Sequence, residues 1–227
     1  MAASHYCPNL RELMLDNCRL PWPGAPFEHL TRLTLECFWD SEGGDLKLAT
    51  AAPRLEVLQC ERHFQARAFT AAGHPSLREV RLELSSTSDV KWLAALATLP
   101  QLSALKLGMK EWCFLGESLE NDMPPFLDGC TCMLRTLKHL SRCPHLKSLD
   151  LDASFGLSVH QTLALVGAVL GDRLESLSIG PSATLPPSPS DAGRVLFVLP
   201  LAFPCLKNLT LIQGCSVPLP SEATLLA

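Results

Sequence analysis

The chain is short of net charge: 19 Lys+Arg stand against 23 Asp+Glu, a formal charge of -4 over 227 residues. Without a basic excess it has no electrostatic hold on nucleic acid or on an acidic membrane surface, and neither is expected as a partner. A leader is also missing, because the opening MAASHYCPNL has neither a basic n-region nor an apolar h-region. No apolar run reaches bilayer length. The longest, Val195 to Pro204, is too short and carries two prolines. From these readings neither secretion nor membrane insertion is expected, and a cytoplasmic or nuclear location is. In such a reducing compartment the ten cysteines should be free thiols rather than a disulfide framework.

Catalytic signatures are missing as well. The sequence holds no G-x-S-x-G, H-E-x-x-H, Walker loop or G-x-G-x-x-G, and its seven histidines are scattered. Nucleophilic catalysis needs a nucleophile, a base and an orienting group converging on one pocket. The expectation is therefore no enzyme, no catalytic residue and no cofactor. His74 and His145, each beside a proline, are expected as ordinary surface residues of turns. Cys130-x-Cys132 with Cys143 and His145 offers four metal-ligand types. A one-residue gap is a poor chelate for structural zinc, so no metal is expected.

Apolar content is not lacking. At 47% hydrophobic and 19% charged the chain is too apolar to stay disordered. Its leucines fall in a repeat. Leu10, Leu13, Leu15, Cys18 and Leu20 spell L-x-x-L-x-L-x-x-C-x-L. The L-x-x-L-x-L core returns at Leu30/Leu33/Leu35, Leu55/Leu58/Cys60, Leu77/Val80/Leu82 and Leu102/Leu105/Leu107. Three further copies follow at Leu146/Leu149/Leu151, Leu174/Leu177/Ile179 and Leu206/Leu209/Leu211. First-leucine spacings are 20, 25, 22, 25, 44, 28 and 32. Proline stands two places before the anchor leucine in six of the eight units, as Pro8, Pro53, Pro75, Pro100, Pro144 and Pro204. Such a proline should end the connecting segment and deliver the chain, extended, into the next strand.

The second and third leucines of each core are two residues apart, so both point to one face of a short strand. One unit cannot bury its own leucines; stacked units can. The expected fold class is thus α/β: a right-handed, curved solenoid with a parallel β-sheet on the concave face and short helices and irregular turns on the convex face. Residues 1–227 are expected to form one array of about eight irregular units spanning 7–215. Loop insertions are expected near 108–132 and 180–193. Val90, Leu93, Leu96 and Leu99 keep one helical face apolar before Pro100, and Leu134, Leu137 and Leu140 do so before Pro144. A longer helix is predicted from Val159 to Leu170, with Ser158 and Gln161 as a capping box and Gly171 as its stop. Pro21 to Pro26 should run extended. Unit one carries no polar cap, so a marginal or self-associating first unit is expected.

These motifs resemble the leucine-rich-repeat proteins. The variant C-P-x-L-x-x-L-x-L, at Cys7-Pro8-Asn9-Leu10 and Cys143-Pro144-His145-Leu146, is most similar to the repeat half of F-box proteins of fungal type. The resemblance implies a protein-protein interaction module: the repeats bind the substrate of a ubiquitin ligase, while an F-box docks a Skp-type adaptor. The first repeat here begins at Leu10 and no L-P-x-E helix opening appears after it, so a Skp-type adaptor is implied only if an F-box is supplied upstream. The other expectation is a stand-alone scaffold or inhibitor with no ligase link.

The strand period also names the candidate surface. One outward column holds Asp16, Glu36, Glu61, Glu83, Gly108, Asp152, Gly180 and Ile212. Its neighbour holds Met14, Thr34, Gln59, Arg81, Lys106, Asp150, Ser178 and Thr210. The acidic column is either a solvated edge or a stripe that attracts a basic protein target of unknown identity. Trp112, Phe114 and Phe126, in the first insertion, are either a binding hot spot or a seal between units five and six.

Overall fold

A computed structural model describes residues 7–16, 26–36, 48–61, 74–84, 93, 96–109, 129–153, 157, 159–180 and 201–211. Eight strands form one sheet in sequence order: β1 (Glu12–Asp16), β2 (Arg32–Glu36), β3 (Val57–Glu61), β4 (Glu79–Leu84), β5 (Ala104–Met109), β6 (Ser148–Ala153), β7 (Ser176–Ile179) and β8 (Asn208–Leu211). Every neighbouring pair is parallel. Three helices are described: α1 (Leu48–Ala51), α2 (Gly129–Leu140) and α3 (Val159–Leu170). The fold is α/β, built from strand-and-return units.

The leucine register holds from end to end. Leu13, Leu33, Leu58, Val80, Leu105, Leu149, Leu177 and Leu209 stand opposite one another along the sheet. The third-leucine positions do the same from Leu15 to Leu211. In the inner strands these residues are buried, and each contributes about 1.5–3 kcal/mol relative to an exposed position. The long gap between units five and six leaves no break in the ladder, since β5 pairs β6 over six residues. β7 likewise pairs β8 across the second insertion.

All seven junctions share one backbone device. The carbonyl two residues before the second core position accepts the N–H groups of two successive residues in the next unit. The Arg11 carbonyl takes Thr31 and Arg32 at 2.8 and 3.0 Å, and the Thr31 carbonyl takes Glu56 and Val57 at 2.9 and 3.0 Å. Glu56, Arg78, Ser103, Lys147 and Glu175 repeat this through to Lys207 and Asn208. Side chains reinforce some seams: the Thr31 hydroxyl donates to the Arg11 carbonyl at 3.1 Å, and Ser76 to the Pro53 carbonyl at 3.0 Å.

The prolines sit differently from the extended chain expected of them. Pro8, Pro53, Pro144 and Pro204 are the second residue of four-residue turns. The anchor-leucine N–H returns to the residue before proline: Leu10 to Cys7, Leu55 to Ala52, Leu146 to Cys143 and Leu206 to Phe203, at 3.1–3.3 Å. Proline presets the φ angle this turn position needs and carries no N–H to leave unpaired there. Phe27-Glu28-His29-Leu30 makes the same turn without proline.

The helices follow the apolar pattern with one correction. α3 has the expected bounds, and Thr162, Leu163, Val166 and Leu170 are buried. Leu93, Leu96 and Leu99 are fully buried, whereas Val90, Ser158 and Pro21 to Ala25 lie outside the described residues. On α2, Leu134 is 44% exposed, and the inward stripe is Met133, Thr136, Leu137 and Leu140. Residues 134 and 140 are six apart, about 120° around a helix of 3.6 residues per turn, so they cannot share a narrow stripe with 137. The helices α2 and α3 pack together. Arg173, just past α3, reaches back so that one guanidinium nitrogen donates to the Leu140 and Ser141 carbonyls at 3.1 and 3.0 Å. A cation there complements the partial negative charge at the end of α2.

Candidate functional site

Alternation buries one face of the sheet and leaves the other open, and the open face carries three side-chain columns in register. The first runs Glu12, Arg32, Val57, Glu79, Ala104, Ser148, Ser176, Asn208. The second is Met14, Thr34, Gln59, Arg81, Lys106, Asp150, Ser178, Thr210, as the strand period predicts. In the third, Asp16 faces Glu36, Glu36 faces Glu61, and Glu83, Gly108 and Asp152 follow.

The charge of the molecule is concentrated here. Eight acidic residues take open-face positions: Glu12, Asp16, Glu36, Glu61, Glu79, Glu83, Asp150 and Asp152. Three basic residues accompany them: Arg32, Arg81 and Lys106. The remaining chain then holds sixteen basic and fifteen acidic residues out of totals of 19 and 23, so it is almost balanced. Asp16 is exposed, and Glu36 and Glu83 are half-buried.

The basic residues sit among the first two columns. The Arg81 Nε lies 2.7 Å from the Glu79 carboxylate, Lys106 Nζ 3.5 Å from that of Asp150, and Arg32 Nε 3.9 Å from that of Glu12. Asp150, expected to be exposed, is half-buried and paired, and its Oδ1 is buried without a hydrogen-bond partner. The third column has no basic residue from β1 to β6, because its positions hold only carboxylates and Gly108. The first column is absent from the two expected above, although the same period of two, counted one step back from the second core position, points to Glu12, Arg32 and Glu79.

A second charged cluster lies at the β6–β8 end. Lys147 and Lys207 flank Glu175 at 2.7 and 2.6 Å. Hydrogen bonds from Lys147, then Lys207, draw its carboxyl down to about 2. The group is solvated, so the cluster orders three side chains and adds little stability.

The cysteines divide by position. Cys60 takes a third-leucine position in the core and Cys143 a buried turn position, whereas Cys7 and Cys205 are exposed. Burial pushes the Cys143 thiol up to about 11, with Arg173 opposing the shift. Burial raises the Cys60 thiol as well. Such thiols are inert at neutral pH. Among the described residues no group of three or more His, Cys, Asp or Glu is placed to hold a metal ion. Cys18, Trp112, Phe114, Phe126 and Ile212, and the side chains of Glu61, Asp152, Cys130 and Cys132, lie outside the described residues.

His145 is exposed as expected, but His74 is not: its ring is wholly buried. No described helix is long and apolar enough to cross a membrane. No family model matches the chain, and no curated protein matches it.

Proposed function

We propose that the chain is a leucine-rich-repeat solenoid working as a protein-binding module, with the open sheet face as its recognition surface. In this reading the crossovers are right-handed, the sheet lines the concave side, and helices and turns cover the convex side. The observation that supports it is the charge distribution. An aligned sheet presents ordered columns of side chains, and the open-face positions hold eight acidic and three basic residues, while the rest of the chain is almost balanced. A surface of this kind steers a basic protein partner and sets its orientation. Asp16, Glu36, Glu61, Glu83 and Asp152 would supply the attraction. Arg81, Lys106 and Asp150 would fix register beside them. No catalytic role and no cofactor is assigned.

The resemblance to F-box repeats suggests substrate recognition for a ubiquitin ligase, reaching a Skp-type adaptor through an F-box supplied upstream. The second reading is a stand-alone scaffold or inhibitor; it keeps the same surface and drops the adaptor. Co-purification from cells separates the two, since only the first brings down the adaptor.

The surface itself is tested by reversing Glu36, Glu61 and Glu83 to Lys. The triple variant should keep its secondary structure, because these residues occupy the open face. It should lose the basic proteins that the wild type captures, and wild-type capture should weaken with salt as charges are screened over about 8 Å at physiological ionic strength. Equal recovery by both proteins would mean that the column is only a solvated edge. The insertion containing Trp112 and Phe114 would then be the next surface to vary.

A further inference from the structure

The residue three places before the anchor leucine is buried in seven of eight units: Phe27, Ala52, His74, Leu99, Cys143, Gly171 and Phe203. Six of these are apolar or small. The exception, His74, is 0% exposed. Its Nε2 lies 3.0 Å from the Ala52 carbonyl oxygen, which occupies the same position one unit earlier. A carbonyl only accepts, so Nε2 carries the hydrogen. Nδ1 is buried and has no hydrogen-bond partner. The ring therefore fits as the neutral tautomer alone. A proton on Nδ1 would create a buried donor and a buried charge with nothing to receive either.

We propose that His74 is a pH-sensitive latch across the seam between the third and fourth units, closed when the ring is neutral and released when it is protonated. Among the described residues, the charged groups on the adjoining turns and strand starts are Arg54, Glu56 and Arg78, and all three are exposed. None of them contributes to the ring's preference. Burial holds the pKa below its ordinary value, and the Ala52 carbonyl opposes that only in part. The unfolded ring takes up a proton near pH 6.5, the folded ring resists it, and so the seam loses stability as pH falls below that value. Above it the latch has no pH dependence. The amides that report on this seam are Arg78 and Glu79, which donate to the Glu56 carbonyl.

The direct test is an NMR titration of the His74 ring in the whole chain, compared with the same ring in the urea-unfolded chain. A lower midpoint in the folded protein supports the latch; an equal or higher midpoint overturns it. A second measurement tracks amide exchange between pH 7.5 and 5.5, corrected for intrinsic rates. Arg78 and Glu79 should lose protection relative to Ser176 by up to about tenfold, the ceiling for one fully excluded proton one pH unit below 6.5. Uniform loss along the sheet overturns the proposal. His74→Phe, which repeats the residue type of Phe27 and Phe203, should abolish the seam-specific loss while keeping the fold. If that variant does not fold, the two wild-type measurements decide the matter alone.

Discussion

A methyl group on Gly171 would stand 1.7 Å from the Ala202 carbonyl oxygen and 2.5 Å from that of Gly167. Both obstacles are backbone, so neither can swing aside. Gly171→Ala should cost about 3 kcal/mol or more, at the upper end for overpacking. Gly167, one turn earlier, meets the Ala202 Cβ at 2.9 Å and the Phe203 ring at 3.1 Å. The Ala202 Cβ is fixed to its backbone and the Phe203 ring is buried, so the added methyl forces a small shift, although alanine in a helix interior recovers up to about 1 kcal/mol over glycine. Gly167→Ala should therefore cost less than Gly171→Ala, about 1–2 kcal/mol once the helix gain is set against the overpacking. Urea denaturation of the two variants checks the contrast, and equal losses would contradict it. Gly171 is legible in the sequence as the stop of a helix. Its structural reason, the close passage of the distant lead-in turn at Ala202, is not, because no local pattern records it.

At the scale of the element, the strands are the most legible part of the chain. Two leucines spaced by one residue fix both a face and a register, and all eight copies align. Leu149 is 1% exposed and Asp150 points to the open face. Leu149→Ala should cost about 2–5 kcal/mol through the cavity it leaves. Asp150→Ala should cost at most about 1 kcal/mol, since its partner Lys106 is substantially solvated. Thermal or chemical denaturation distinguishes these, and similar losses would place the register one residue out. The returns are less legible. α1 is only four residues, too short to show a period; part of what fixes it is the Phe27 N–H donating to the Ala51 carbonyl at 2.8 Å. The face of α2 misleads at Leu134, because three leucines at successive gaps of three drift around a helix. A histidine beside a proline looks like surface, and the burial of His74 shows only when its place three residues before the anchor leucine is compared with Phe27 and Phe203. Of the candidate surface, all three columns follow from the alternation, though only two are named from the sequence above, whereas the ion pairs that occupy Arg81 and Lys106 do not. Pairing depends on rotamers and on neighbours from other strands.

For the whole molecule, the two ends differ from the middle. Leu13 and Leu15 on β1, and Leu209 and Leu211 on β8, are half-buried, while their counterparts in the inner strands are buried. Met14, on the open face of β1, is 62% exposed. Local stability should therefore decline outward along the array. Amides of β1 and β8 should exchange before those of β3 to β6. The partly open apolar edge of β1 should also promote concentration-dependent self-association. Sedimentation over a range of concentrations, with a thermal melt, examines both points. A concentration-independent monomer with one sharp transition would contradict the second.

The shared carbonyl device described for the seven junctions makes the units interchangeable connectors. Each offers the same socket to the next unit and the same plug to the previous one. Excising residues 56–77 would present the Arg78 and Glu79 amides to the Thr31 carbonyl that Glu56 and Val57 now occupy. Removal of that unit would thus restore the same backbone coupling between its neighbours. The number of units, and with it the length of the open face, is therefore not dictated by this coupling.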